Sequence, residues 1–502
     1  MGREEIHHTK QTSADVDDIG PEKAAYKNAD KALEFLKYNV TGDEHDLVDV
    51  KKLVKRIDWM IVPIMFSCYF LQYLDKSLLN YAAVMGIFED ANITTEQYGN
   101  LSWLFYLAFM IFEMPHAFMM QRFPLAKYLG TMVCFWGTVV ACTAACNSYA
   151  SLAACRFLLG MFESAISPSL ILITSMWYKR HEQPKRVGFW YMGVGMAVMA
   201  GSLISYGSQH YEGTRFNNWQ IMFLVVGIVT VAAGIVVILF LPDNPMSSRL
   251  SHAEKVTAVE RLRENNTGIE NKQFKLYQFI ETLRDPQVWL LAYITTAASI
   301  PNGAVGSFQS VLIKSFGFSN KVTALLQIPG GFIAVVSVIT GTQIAARYNC
   351  RGVMQIVWTA WGGILGGGLI AFLPTGNRAG RLVGNYFTHV TGAFLPLSYS
   401  FAACNFAGHT KKVTMNAILL MSFCLGNILG PLTFRDEDAP EFTPAKITIV
   451  AVDSTVVVAV MILLGYYMWE NKRRNNAQVQ HRPYIEFSDL TDRENLELRY
   501  KY

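Results

Sequence analysis

The chain has 502 residues, of which 52% are hydrophobic and only 16% are charged. Soluble domains carry roughly 25% charged residues on average, so this composition favours a protein that exposes much of its surface to lipid. The net charge of +4 is small and dispersed along the chain, which does not suggest nucleic-acid binding. The eight cysteines show no CxxC or Cys/His spacing, so we expect no metal site and no cofactor.

Long apolar runs dominate the sequence after residue 56. A membrane-spanning helix needs about 20 mostly apolar residues, and twelve runs satisfy this requirement. Six precede a polar central stretch, near 57–82, 98–121, 127–146, 149–177, 187–208 and 218–241. Six follow it, near 287–312, 322–345, 353–373, 381–403, 412–433 and 446–469. The pattern predicts an all-α membrane protein with twelve transmembrane helices.

The polar stretches divide the chain into five segments. Residues 1–55 are polar and mixed in charge, which predicts a disordered cytoplasmic tail. Residues 242–285 form a central loop, in which Ser251 and Glu254 have the spacing of a capping box that opens a short amphipathic helix. We therefore expect six-helix halves at 56–241 and 286–470, and a cytoplasmic C-terminal tail at 471–502.

Basic residues orient the spans, because cytoplasmic loops carry an excess of Lys and Arg. Such residues flank the first and last spans and lie in loops that follow even-numbered spans. These residues are Lys51, Lys52, Lys55, Arg56, Arg122, Lys127, Lys179, Arg180, Lys185, Arg186, Arg347, Arg351, Lys411, Lys412, Lys472, Arg473 and Arg474. The bias predicts that both termini are cytoplasmic. Asn92, in the sequon Asn-Ile-Thr, then lies on the outer face as a candidate glycosylation site.

Short motifs occur along about residues 50–475. They are Asp58-x4-Pro63 through Tyr69, Leu74-Asp75-Lys76 with Asn80, Phe112-Glu113-Met114-Pro115, Arg156-Phe-Leu-Leu-Gly160-Met-Phe-Glu163, Trp177-Tyr178-x4-Gln183-x2-Lys185-Arg186, Leu241-Pro242-Asp243-Asn244-Pro245 and Asp285-Pro286-x2-Trp289. This set resembles the anion:cation symporter branch of the major facilitator superfamily, and within it the fungal allantoate permease-like family.

The resemblance implies a proton-coupled importer of a small organic anion or vitamin-like carboxylate, acting as a monomer in the plasma membrane. Members carry nutrients such as allantoate, nicotinate, pantothenate and biotin, and some carry sulfur amino acids. The family usually has Arg after the first-span Asp, whereas this chain has Lys76. Because Lys is a point charge rather than a two-pronged donor, the substrate is expected to differ from those of the better-known members.

Four polar residues share one face of the first span at helical spacing: Tyr69, Gln72, Lys76 and Asn80. Ionisable groups inside a membrane helix are costly and usually mark a pathway or a partner. A cation on a polar stripe suits an anionic substrate held between the halves. The alternative is that Lys76 pairs with Asp75 or another carboxylate and only shapes the fold.

Spans 2 and 4 carry the candidates for proton coupling. Tyr106, a further substrate candidate, and Glu113 lie two turns apart in span 2, and Arg156 and Glu163 lie two turns apart in span 4. The Arg-x3-Gly beginning at Arg156 resembles a pattern linked in this superfamily to proton coupling. A carboxylate near a cation can respond to substrate, and we rank Glu113 ahead of Glu163 as the proton carrier. The alternative is a static Arg–Glu pair that locks spans 2 and 4 together.

The second half offers fewer candidates. Asn302 and Gln309 in span 7 and Tyr399 in span 10 are candidate substrate contacts, and His389 is a candidate for coupling because histidine titrates near physiological pH. A helix-contact role is the alternative for His389. The glycines between residues 362 and 368 in span 9 indicate close helix packing.

Three other functions are weighed against import. An exporter of the same superfamily typically carries a Gly-Pro-rich signature in span 5, and this span has glycines but no proline. A non-transporting nutrient sensor tends to carry longer cytoplasmic extensions. A membrane enzyme needs a nucleophile with a base, a metal cluster or a cofactor loop, and the sequence shows none of them.

Overall fold

The computed structural model describes residues 48–179, 182–211, 216–263, 275–476, 490–495 and 497–502, and these are overwhelmingly helical. Within these described ranges, eleven helices are long and apolar enough to cross a membrane. We number the spans α1–α12 in chain order, and the tenth consists of three shorter segments. Their bounds are Val50–Ala82 (α1), Thr95–Arg122 (α2), Leu125–Thr143 (α3), Tyr149–Trp177 (α4), Lys185–Ser208 (α5), Asn218–Phe240 (α6), Pro286–Ser315 (α7), Asn320–Tyr348 (α8), Arg351–Phe372 (α9), 378–405 (α10), Thr410–Thr433 (α11) and Thr443–Asn476 (α12).

Each predicted span corresponds to one of these elements, and two differ from expectation in detail. Helix α1 begins at Val50, inside the stretch expected to be tail, because the Asp49 side chain accepts hydrogen bonds from the backbone N–H groups of residues 51 and 52. Residues 1–47 of the expected tail lie outside the described residues. Helix α10 is not continuous: a 3₁₀ turn, His389–Ala393, joins Arg378–Thr388 to Phe394–Asn405.

The described residues form three apolar clusters, one mainly from α1–α6, one mainly from α7 and α10–α12, and a smaller one from α8–α10. Large apolar side chains also point outward, as at Ile228 and Leu239 on α6, which are 59% and 60% exposed. Such exposure is costly in water and favourable in lipid. The pattern is that of a bundle with a lipid-facing outer surface.

The central loop contains two helices that belong to opposite halves. The first, His252–Arg263, opens with the predicted capping box and is tied to the first half by ion pairs of Arg56 with Glu254 and of Arg261 with Glu182. The second helix, Leu276–Arg284, is tied to the second half through an ion pair of its Glu281 with Lys411. Residues 264–274 between them lie outside the described residues.

The C-terminal segment, 490–495 and 497–502, packs on the second half, although the sequence was interpreted as a tail from residue 471. The Tyr500 ring is 2% exposed and stacks on Tyr467 of α12 with 4.5 Å between ring centroids. Lys411 at the start of α11 forms an ion cluster with three carboxylates. These are Glu281 and Asp285 at 2.8 Å, and Asp492 of the C-terminal segment at 2.9 Å. Sequence reasoning missed this contact because the segment is polar and carries no helical periodicity.

The two halves meet tightly at one end of the bundle, on the side predicted to face outward. Asn80 on α1 donates to the Gln327 side chain of α8 at 2.9 Å and accepts from the Ser310 backbone N–H of α7 at 2.7 Å. The Tyr98 hydroxyl on α2 donates to the Ser307 carbonyl at 2.8 Å. We call this set of contacts the outer closure.

Candidate functional site

A cavity of about 1370 Å³ lies between the halves and is lined mainly by residues of α1, α2, α4, α5, α7, α8, α10 and α11, with one residue each from α9 and α12. One end stops at the outer closure. At the other end the lining continues to Phe118 of α2 and Val413 of α11, whose side chains are 53% and 57% exposed. This end lies beside the basic loops, so the cavity opens toward the side predicted to be cytoplasmic. We call it the central cavity.

All eight predicted substrate contacts line the central cavity, and so do Glu113, Arg156 and His389. The eight are Tyr69, Gln72, Lys76, Asn80, Tyr106, Asn302, Gln309 and Tyr399. Their roles in binding stay predictions. Among the residues that the structure describes, no group of three His, Cys, Asp or Glu side chains is placed to hold a metal ion.

The lysine in the wall of the cavity, Lys76, is paired with a carboxylate. The Lys76 ammonium lies 3.2 Å from Oε1 of Glu163, at a distance typical of an ion pair but without the angles of a hydrogen bond. The Glu163 side chain is fully buried, whereas that of Lys76 is 24% exposed and reaches the cavity. The rings of Phe105 and Phe109 each have their centroid 5.4 Å from the ammonium, which adds cation–π attraction. The sequence alternative that Lys76 has a carboxylate partner therefore describes this conformation, and the partner is Glu163 rather than Asp75.

Asp75 and Arg156 lie behind this pair. Asp75 is fully buried and accepts a hydrogen bond of 3.1 Å from the Trp136 indole N–H. Arg156 lies over the Phe223 ring and, within the described part of the chain, makes no ion pair with Glu113 of span 2 or with Glu163 of its own span. The static Arg–Glu pair between spans 2 and 4 is therefore not formed in this conformation; the Lys76–Glu163 pair joins α1 to α4 instead.

Glu113 lies nearer the open end of the cavity. It is half-buried on α2, and no ion pair involving it occurs among the described residues. A carboxylate in such a position is accessible to water from the open side. Glu163, in contrast, is fully buried outside the lining of the cavity and is already paired with Lys76.

The second half contributes two hydrogen-bonded pairs. Nε2 of His389 lies 2.6 Å from the Gln309 side-chain nitrogen, which joins the 3₁₀ turn of α10 to α7. Asn302 donates to the Asn427 side chain at 2.9 Å. Tyr399 lines the opposite wall, close to the open end. In this conformation His389 thus has the helix-contact environment given as its alternative.

Two further predictions can be placed. Asn92 is exposed in the loop after α1, with φ at +50°, and Thr94 of its sequon caps α2 with its hydroxyl. Its glycosylation stays a prediction. The glycines of span 9 do pack closely: a Cβ on Gly366 would lie 2.9 Å from the Gly384 carbonyl oxygen of α10. One ionisable residue was missed, Asp453 in α12, although a lone acid in an apolar run is a signal that the sequence itself offers.

Comparison with known proteins agrees with this geometry. Residues 65–431 match the Major Facilitator Superfamily. The chain belongs to this superfamily. Twelve helices in two halves around a central cavity, the arrangement described above, are its fold, and the predicted multi-pass membrane protein is confirmed.

Fungal members of the superfamily resemble the chain over nearly its full length. The thiamine pathway transporter of Saccharomyces cerevisiae is 37% identical, with 98% of each chain covered. The allantoate permease of the same yeast is 32% identical over 95% of this chain and 89% of its own. The resemblance to allantoate permease-like proteins is thereby confirmed.

A solved superfamily structure supports the fold. It is a bacterial homolog of the human lysosomal transporter Spinster, in an inward-facing and unoccupied conformation. The TM-score is 0.62 at 15% identity, covering 81% of this chain and 95% of that chain. The superfamily match and the yeast relatives, not this structure, show that the chain is a membrane transporter of the major facilitator superfamily.

Proposed function

We propose that this transporter imports a small organic anion, such as a vitamin-like carboxylate, together with a proton. The observation that carries the proposal is the Lys76–Glu163 ion pair in the wall of the central cavity. Lys76 is the cation of the first span that reaches the cavity, and its carboxylate partner is fully buried. A substrate carboxylate can replace Glu163 as the partner of this cation.

Exchange of partners would link the anion to a proton. When a substrate carboxylate takes the ammonium of Lys76, Glu163 is left buried without a counter-charge. An unpaired ionised carboxylate in the membrane interior costs several kcal/mol, and proton uptake removes that cost. When the anion leaves, Lys76 again favours the ionised form of Glu163, and the proton is released. One anion and one proton thus move together, with Glu163 rather than Glu113 as the primary carrier.

The cavity wall also limits the substrate class. Tyr69, Tyr106 and Tyr399 present aromatic surface, which suits an apolar or planar body attached to the carboxylate. Lys76 in place of the family's arginine provides one point charge, so a single carboxylate oxygen, not a bidentate pair, is the expected contact. The names of the yeast relatives, a thiamine pathway transporter and an allantoate permease, are consistent with a nutrient substrate.

Uptake of a labelled panel tests the proposal in yeast that lacks its own nutrient permeases. The panel contains nicotinate, pantothenate, biotin, allantoate, cysteine and short carboxylates, at pH 5 and pH 7.5. We expect saturable uptake of one compound that is faster at pH 5 and is abolished by a protonophore.

Variants then locate the site. Lys76→Ala removes a charged contact worth about 1.5–3 kcal/mol, so KM should rise by about 10- to 150-fold. Glu163→Gln should leave exchange of substrate intact and abolish its dependence on the proton gradient. Lys314→Ala, which removes an exposed lysine at the end of α7, is the matched control and should change neither property. If protein at the cell surface took up none of the compounds, and the cells became resistant to an added toxin, the proposal of import would fail and export would replace it.

A further inference from the structure

A single carboxylate interrupts the apolar sequence of α12. Asp453 stands in the run IVAVDSTVVVAV and is 1% exposed, so it faces the interior of the bundle rather than lipid. Its Oδ2 atom is buried and has no hydrogen-bond partner among the residues that the structure describes. The partner exchange proposed between Lys76 and Glu163 does not involve it.

The space for this carboxylate is provided by a glycine on α9. Residues Ala360–Gly366 form a π-helical turn, and Gly363 at its centre faces Asp453. A Cβ added to Gly363 would lie 1.8 Å from Oδ2, so no other residue fits there while the carboxylate keeps its place. Single π-helical turns within α-helices are rare and occur frequently at functional sites.

No cation compensates the Asp453 carboxylate among the described residues. The ionisable side chains on the helices packed against α12 either bond other residues or lie far from Asp453 along the bundle. Tyr293 of α7 donates to Thr455, Lys314 is exposed at the far end of α7, and Arg351 at the start of α9 bonds Ser400. On α12 itself, Lys446 pairs with Glu441 two turns away.

This environment does not support a charge. An ionised carboxylate at depth in a membrane protein costs several kcal/mol unless a cation or several donors surround it. Asp453 has neither in this conformation, and a bound proton removes the charge. One carboxylate without further oxygen ligands is also a poor site for a metal cation.

The central cavity lies directly beyond the glycine. Gly363 lines the cavity, and so does Ile449, one turn before Asp453 on α12. The carboxyl group is thus separated from the cavity by a residue without a side chain. A small widening of the π-helical turn would bring water from the cavity into contact with the carboxyl group.

We propose that Asp453 is a second proton-binding site, occupied in this conformation and exchanging its proton with the central cavity past Gly363. The reaction is protonation of a carboxylate to a carboxylic acid, with water in the cavity as donor and acceptor. The inference extends the proposed proton coupling and rests on it. It assigns a proton to the second half of the transporter, whereas Glu163 carries one in the first.

The first test is chemical and does not depend on transport. Dicyclohexylcarbodiimide reacts with protonated carboxyl groups in apolar surroundings, and peptide mass spectrometry locates the adduct. With the purified full chain in lipid nanodiscs, we expect Asp453 to be modified at pH 6–7 and less at pH 9. Asp58, which pairs with Arg186 at 2.9 Å, is the internal control and should stay unmodified. Absence of modification at Asp453 across this pH range, in protein that elutes as a single species, would overturn the proposal.

The second test uses Asp453→Asn, which imitates the protonated acid. Since the acid is already neutral, the variant should fold with a Tm close to that of the wild type. We expect counterflow exchange of substrate to persist and accumulation driven by a proton gradient to fall at least tenfold. Proton-driven accumulation equal to that of the wild type would overturn the role of Asp453. If the wild type itself showed no proton dependence, the proposed symport would fail, while the carbodiimide result would still decide whether Asp453 binds a proton.

Discussion

Asn80 was predicted as a substrate contact, but in the structure its side chain makes hydrogen bonds of the outer closure. Both ends of its amide cross between the halves: Nδ2 donates to Gln327 at 2.9 Å, and Oδ1 accepts from the Ser310 backbone at 2.7 Å. All three residues are buried. We therefore expect Asn80→Ala to favour the conformation in which the outer side is open.

The size of the shift follows from the two bonds lost. Each intramolecular hydrogen bond contributes about 0.5–1.5 kcal/mol net, so the pair contributes about 1–3 kcal/mol. Only the closed state makes these bonds, so the ratio of open to closed molecules should rise by about 5- to 150-fold. The same shift should raise KM for substrate presented from the cytoplasmic side.

A cysteine placed at Ser307 reports the change, because the Ser307 backbone lies in the outer closure and the residue also lines the cavity. Labelling by a membrane-impermeant maleimide on intact cells should be faster in Asn80→Ala by the factor above. The parent chain without the cysteine gives the background from its native thiols. Asn302→Ala is the matched control, since it removes an amide that lines the same cavity but bonds Asn427 within the second half. Equal labelling rates in Asn80→Ala and Asn302→Ala would refute the assignment of Asn80 to the closure.

Two further outcomes are expected. Lys411→Met removes the cation shared by the three carboxylates and leaves only Arg493, 2.9 Å from Asp285, to compensate them, so it should destabilise the protein by about 3–5 kcal/mol and lower Tm; an unchanged Tm would show that the C-terminal segment is not docked. Hydrogen bonds from the Thr95 side chain and from its backbone N–H lower the pKa of Asp436 below its ordinary 3.8, so this contact between the halves has its full strength above 3.8 and is lost as the pH falls through the lowered pKa. Labelling at Ser307→Cys should therefore accelerate below about pH 4, and Asp436→Asn should remove that acceleration.

The spans could be predicted from sequence because a bilayer imposes one simple requirement, a length of apolar residues, that each helix meets by itself. The interruption of α10 at His389–Ala393 could not, since no proline stands in that turn and the run 381–403 is long enough to be read as one span. The orientation rested on Lys and Arg counts, and the cavity opens on the side that those counts assigned to the cytoplasm.

The sequence predicted which residues line the central cavity, but not which of them form an ion pair. Helical spacing placed Lys76 on a polar face, and the structure puts it at the cavity. Its partner, Glu163, lies 87 positions later on another helix, and a single sequence contains no information on the rotation of one helix against another. For the same reason Glu163 was linked to its near neighbour Arg156 instead. Asp453 could have been identified as a candidate from the sequence, because its charge in an apolar run is visible without any structure.

The two helices of the central loop indicate where the chain can be divided into two fragments. The helix His252–Arg263 is bonded to the first half and the helix Leu276–Arg284 to the second. A cut between Arg263 and Lys275 leaves every ion pair described for these helices intact. The chain should therefore assemble from two separately translated fragments, each carrying six spans. Such a split would allow isotopes or fluorophores to be introduced into one half of the transporter alone.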